Sequence, residues 1–171
     1  MRRMAFLVLA ATFVVAGFTL PANAKTIDQP ALTGKPGVPA TFSSVEELFT
    51  RFGLFGTWAA HCKGRATPVN PHVDIGNPSP GLVFEDHDLG GGYAVNRYSV
   101  VAAEALSPTR LAVEVVFQPG KPDEQRQWLI YEVRHDTRRT LFNRTDSGAV
   151  RVKDGIALAR GTRTPVLRKC R

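Results

Sequence analysis

The densest group of chemistry-bearing side chains is Glu85-Asp86-His87-Asp88, followed directly by Gly90-Gly91-Gly92. His72 and Asp74 lie a short way upstream. Imidazole nitrogens and carboxylates together are the donor set of a divalent-metal site, and a small metal-dependent hydrolase would use such a set. Alternation limits the idea: if residues 82–87 form a strand, Glu85 and His87 share one face while Asp86 and Asp88 share the other. At most two of the four converge without help from a turn. The spacing matches no metal motif, so the expectation is a solvated strand end running into a glycine turn. No metal and no cofactor are expected; Glu85, His87, His72 and Asp74 are the candidates should a metal site exist. Nucleophilic chemistry has less support. Ser99, Ser107 and Ser147 lack a Gly-x-Ser-x-Gly elbow. The triple glycine lacks the Lys-Ser/Thr that follows a phosphate loop. No catalytic residue is assigned, and a non-enzymatic protein is favoured.

Two cysteines, Cys62 and Cys170, stand near the two ends of the region able to fold. No Cys-x-x-Cys spacing suggests redox work, so a structural bridge is expected in preference to two free thiols or a thiol nucleophile. It would close a loop of about a hundred residues, and the chain-entropy model credits such a loop with roughly 4–5 kcal/mol. A bridge requires an oxidising compartment. The N-terminus agrees: Arg2 and Arg3 precede an apolar run over 4–20, and Ala22-Asn23-Ala24 has the small-x-small pattern of a signal-peptidase site. Residues 1–24 are therefore expected to be a signal peptide, leaving a periplasmic or secreted protein. The apolar run is short for a spanning helix, and nothing after it is long enough to cross a bilayer as one.

The elements that must position these groups are mostly strands. Residues 25–41 carry Pro30, Gly34, Pro36, Gly37 and Pro39 and read as a flexible leader. Residues 42–171 are expected to form a single β-barrel-like domain. A helix is predicted over 43–52, with Val45, Leu48, Phe49 and Phe52 on one face. Its cap is a box of Ser43 with Glu46 or of Ser44 with Glu47, and Gly53 is its stop. Strands are predicted over 55–62, 82–87, 93–103, 110–118, 127–135, 139–145, 150–153, 156–160 and 165–170. Residues 67–80, rich in proline, read as a loop with at most a short edge strand at 72–75. Residues 128–133 are nearly continuous apolar and read as buried on both faces. Asp154-Gly155 marks a tight hairpin. Strand following strand without βαβ alternation predicts an antiparallel meander. Closure removes the exposed edges, so the fold class expected is mostly β: an eight-stranded barrel with one short N-terminal helix. In it the first and last strands are neighbours, which brings Cys62 to Cys170.

Gly56-Thr57-Trp58 opens the first strand just after the predicted helix. It resembles the Gly-x-Trp start of lipocalins and related small calycin barrels, including bacterial secreted protease inhibitors. The resemblance implies that Trp58 closes one end of a barrel and that a late arginine, Arg160 or Arg168, packs across it through a cation–π contact. Residues 54–73 and 156–160 also resemble small exported proteins of alphaproteobacteria, a likeness that implies no activity.

Charge separates the two halves. Residues 25–133 hold 9 basic and 12 acidic side chains, whereas 134–171 hold 11 basic and 3 acidic. A basic C-terminal half could meet an anionic envelope component or an acidic protein. Nucleic acid is not expected as a partner, because no aromatic stacking platform is interleaved with the basic residues. The leading expectation is an exported binding module for a small apolar molecule or lipid. An interaction or inhibitor module using the basic half is the first alternative, and the metal-dependent hydrolase the second.

Overall fold

The computed structural model describes residues 43–170. The signal peptide and the leader assigned above lie outside the described residues. The chain enters through helix α1 (Val45–Arg51). Ser44 Oγ accepts from the Glu47 amide at 3.1 Å and Glu47 Oε2 accepts from the Ser44 amide at 2.8 Å, so the second of the two capping boxes forms. Glu46 is thereby free to accept from the Gly81 amide at 3.0 Å, which ties the helix to a strand turn. Gly53, at φ +63°, turns the chain out of the helix.

Eleven antiparallel strands follow: β1 (Gly56–Ala59), β2 (His72–Ser79), β3 (Leu82–Asp88), β4 (Asn96–Ser107), β5 (Arg110–Phe117), β6 (Gln125–Arg134), β7 (Thr137–Thr145), β8 (Val150–Lys153), β9 (Ile156–Ala157), β10 (Thr162–Arg163) and β11 (Leu167–Lys169). β1 to β7 pair in sequence, β7 also pairs with β11, and β11 pairs with β1. These eight staves close an antiparallel barrel. β8, β9 and β10 stand outside the ring as an insert carried on β7. The insert is held by its own hairpin: Asp154 and Gly155 both have positive φ, +51° and +73°, as a two-residue turn of the primed kind requires.

Alternation fills the interior. Leu111, Val113 and Val115 of β5 face Tyr131, Leu129 and Gln127 of β6, and all six are buried. At the end where α1 sits, Leu48, Phe49 and Leu54 pack with Trp58, Val83 and Leu111 into one core. The helix plugs that end.

Four strand expectations change. Residues 72–79 form a full stave, not a short edge strand. Pro78 fits because it falls at the register break between Gly76 and Ser79, where the missing N–H leaves no ladder bond unmade. β6 is buried on one face only: Trp128 and Ile130 point outward and stay partly exposed, with Arg144 5.1 Å over the Trp128 ring. The predicted strand 156–160 shortens to Ile156–Ala157, because the chain turns at 158–161 into β10. The hairpin 150–160 is not part of the meander but its insert.

Candidate functional site

Cys62 and Cys170 are disulfide-bonded, with Cα atoms 5.4 Å apart across a separation of 108 residues. The bridge fastens the end of the first stave to the end of the last, beside the Trp58–Lys169 and Ala59–Arg168 pairs. Trp58 is fully buried, and its indole N–H donates to the Leu54 carbonyl at 2.7 Å. Trp58 thus sits at the helix-plugged end of the barrel. The cations over its ring are Arg138, at 5.9 Å, and Lys169, at 5.7 Å. Arg160 and Arg168, the two arginines expected there, are both exposed. Arg160 lies in the turn of the insert. Arg168 points outward because its neighbours Leu167 and Lys169 take the inward positions of β11.

Register also separates the acidic and histidine groups. Val73 pairs with His87 and Ile75 with Glu85, so those four face inward. His72 and Asp74 pair with Asp88 and Asp86 on the outside. Asp74 accepts from the Thr57 hydroxyl at 2.8 Å, and Asp86 holds Arg97 in a fork of 2.8 and 2.6 Å. The sheet therefore divides the set Glu85, His87, His72 and Asp74, and the four do not form one ligand cluster. Among the described residues no three His, Cys, Asp or Glu side chains are placed to hold a metal ion. Glu104, Glu114 and Glu132, which lie on the neighbouring strands β4, β5 and β6, do not form a carboxylate pair. Glu114 binds Arg126, and Glu132 binds Arg134 and Arg139.

The barrel interior carries a polar group of its own. Glu85 is 1% exposed and Arg138 4%. Arg138 donates to both carboxylate oxygens of Glu85, at 2.9 and 3.4 Å. Its guanidinium lies 4.7 Å over the Tyr131 ring, so its apolar faces are covered as well. His87 Nε2 stands 3.3 Å from Glu85 Oε2. An ionised carboxylate can only accept, so His87 is the donor. Burial would push the Glu85 carboxyl up, but the Arg138 charge and the hydrogen bonds from His87 and Arg138 overcome it and hold the pKa at about 2. Burial first, and the Glu85 charge second, push the Tyr98 phenol up to about 12 and Tyr131 well above the usual tyrosine range. Both phenols stay neutral.

Beside this group lies a cavity of about 200 Å3. Its origin is the seam of the barrel. β7 and β11 pair only at Arg138–Leu167 and Thr137–Arg168. Beyond those pairs β7 turns to β8 instead, at Asn143–Val152 and Arg144–Val150. The space left between the two staves is walled by Leu129, Tyr131 and Tyr98 on the barrel side and by Val152, Thr164 and Pro165 from the insert and the loop after it. Arg138, His87 and Asn143 supply polar atoms. His87 is 26% exposed, so the cavity reaches solvent.

Asn143 faces inward only because of a bulge. Tyr131 pairs with Thr140 and Ile130 with Phe142, which leaves Leu141 as the extra residue. Strict alternation from Thr140 would put Phe142 inside and Asn143 outside. Arg138, Tyr98, Tyr131 and Asn143 escaped the sequence reading. Tyr131 lay on the expected strand 127–135, whereas Arg138 lay one residue before the expected strand 139–145 and joins the barrel because β7 starts at Thr137; for Asn143 the sequence carried no signal.

The basic half is largely committed within the fold. Arg138 is buried, Arg134 and Arg139 bind Glu132, Arg144 covers Trp128, and Arg151 donates to Gln125 at 2.7 Å. Lys169 donates to the Gly53 carbonyl at 2.8 Å. Lys153, Arg160, Arg163 and Arg168 are exposed. Among the described residues no helix is long and apolar enough to cross a membrane. No family model, no curated protein and no solved structure matches the chain.

Proposed function

We propose that this protein is an exported binding module that holds one small molecule in the cavity at the β7–β11 seam. The observation carrying the reading is the cavity itself: apolar walls with a few convergent polar groups, opening beside a buried ion pair. Burying Glu85 and Arg138 is weak support for stability, since apolar residues of the same volume serve a barrel core as well or better. Their presence in the interior fits a site better than it fits packing. The disulfide and the predicted signal peptide support export to an oxidising compartment. The Gly56-x-Trp58 start at a helix-plugged barrel end is compatible with a lipocalin-like ancestry.

Volume narrows the ligand. A cavity of roughly 150 Å3 accommodates benzene, so about 200 Å3 suits one substituted ring. A lipid chain is too large. The test is a small-molecule fragment screen against the disulfide-bonded protein, read by thermal shift. A fragment at a hundred times its Kd adds about 2.7 kcal/mol of stability. Filling the cavity from the insert side with Val152→Phe should abolish every shift while leaving the barrel folded. Shifts that persist in that variant, or a complete screen without one, overturn the proposal.

A further inference from the structure

We infer that the ligand of this cavity is an uncharged ring bearing one hydrogen-bond donor, and that Asn143 Oδ1 receives that donor. The inference rests on the binding reading above and adds the chemical class.

Charge is the first argument. The ion pair beside the cavity is already balanced: Glu85 and Arg138 neutralise each other through two hydrogen bonds, and both are buried. Arg139 at the rim is held by Glu132 at 2.9 Å. An anion or cation entering here would lose its hydration and find no spare countercharge. A neutral guest avoids it.

Hydrogen-bond direction is the second argument. Asn143 Oδ1 is buried and has no partner. Its orientation follows from a relay that begins at Arg151, a side chain able only to donate. Arg151 donates to Gln125 Oε1 at 2.7 Å. Gln127 Nε2 donates to that same oxygen at 3.2 Å. Gln127 therefore presents its oxygen onward, and Asn143 Nδ2 donates to it at 2.9 Å. Flipping any one amide in this series would set donor against donor or acceptor against acceptor. The Asn143 oxygen is what remains, on a residue that lines the cavity. A buried acceptor without a partner is costly, and a ligand hydroxyl or ring N–H would recover that cost. Shape is the third argument: the rings of Tyr98 and Tyr131 and the side chain of Leu129 wall a space of single-ring size.

The experiment compares four probes of nearly equal size by calorimetry and ligand-observed NMR on the disulfide-bonded protein: phenol, toluene, benzoate and benzylammonium. Phenol should bind about 10-fold more tightly than toluene, the return expected from one buried hydrogen bond. Benzoate and benzylammonium should bind more weakly than either. In Asn143→Leu the phenol preference should vanish while toluene still binds. Equal binding of phenol and toluene to the unaltered protein would overturn the donor assignment and leave the cavity reading standing. Benzoate or benzylammonium binding tightest would overturn the charge argument. No binding by any of the four would overturn both readings. The ranking on the unaltered protein decides the matter even if the variant does not fold.

Discussion

Replacing Glu85 by glutamine should be the most damaging single change to the barrel interior, and its size follows from the structure. The carboxylate is 1% exposed and receives donors from Arg138 and His87. Its pKa stands at about 2, against 4.5 for an ordinary glutamate. At 1.36 kcal/mol per unit, that difference is about 3 kcal/mol in favour of the charged form. The sign is that of a depressed acid. The contribution is complete above pH 4.5 and is lost as pH falls from 4.5 toward 2, because the unfolded chain takes up its proton first. Glu85→Gln also strands Arg138 in the interior without a counterion, and breaking a buried pair in this way costs about 3–5 kcal/mol. For a barrel of this size one kcal/mol moves Tm by about 3–5 °C, so Tm at pH 7 should drop by roughly 10–20 °C. The assay is urea unfolding followed by circular dichroism from pH 2 to pH 7, with the difference between the two proteins plotted against pH. The gap should be widest at neutral pH and narrow below pH 4.5. The double change Glu85→Leu with Arg138→Met should recover much of the loss, since neither charge is then stranded. A Glu85→Gln protein within about 1 kcal/mol of the parent at pH 7, or a gap independent of pH, would refute the account of this pair.

Other expectations follow from the same geometry. Replacing Cys62 and Cys170 by serine should lower stability by up to 4–5 kcal/mol, the roughly logarithmic return on a 108-residue loop; identical melts with and without reductant would count against the bridge. Tyr98, held near pKa 12, should ionise late in an absorbance titration at 295 nm. A raised acid stabilises the fold fully below its unfolded pKa of about 10 and loses that contribution between pH 10 and 12, so Tyr98→Phe should unfold less steeply over that range. Gly90→Ala should cost about 2 kcal/mol or more. Gly90 has φ +88°, and an added Cβ would lie 2.1 Å from the Ala66 carbonyl oxygen. Gly91→Ala, with open space around it, should stay within about 0.5 kcal/mol and serves as the control in the same denaturant series.

Much of the frame was legible in the residues alone, because it depends on short-range patterns. Period-two alternation over 110–117 and turn residues at regular spacing mark staves wherever they sit. The Ser44–Glu47 box starts a helix through contacts three residues apart. Two cysteines at the ends of a meander meet once the sheet closes. The interior chemistry depends on register and on pairs far apart in the chain. Glu85 and Arg138 are 53 residues apart, and only closure sets them 2.9 Å apart. The pairing of His72 with Asp88 and Asp74 with Asp86 put half of the acidic and histidine cluster outside the barrel.

What the sequence by itself determined, then, is a helix-started antiparallel meander with a bridge between its first and last staves, since hydrophobic period, turn chemistry and cap residues act locally. What only the tertiary structure decided is the site. One extra residue at Leu141 turned Asn143 inward, an early parting of β7 from β11 opened the cavity, and closure chose Arg138 and Lys169 over Arg160 and Arg168 as the cations on Trp58. A bulge shifts every later side chain to the opposite face at almost no cost in local pattern, so its consequence is fixed by the partner strand and leaves no mark in the residues that it redirects.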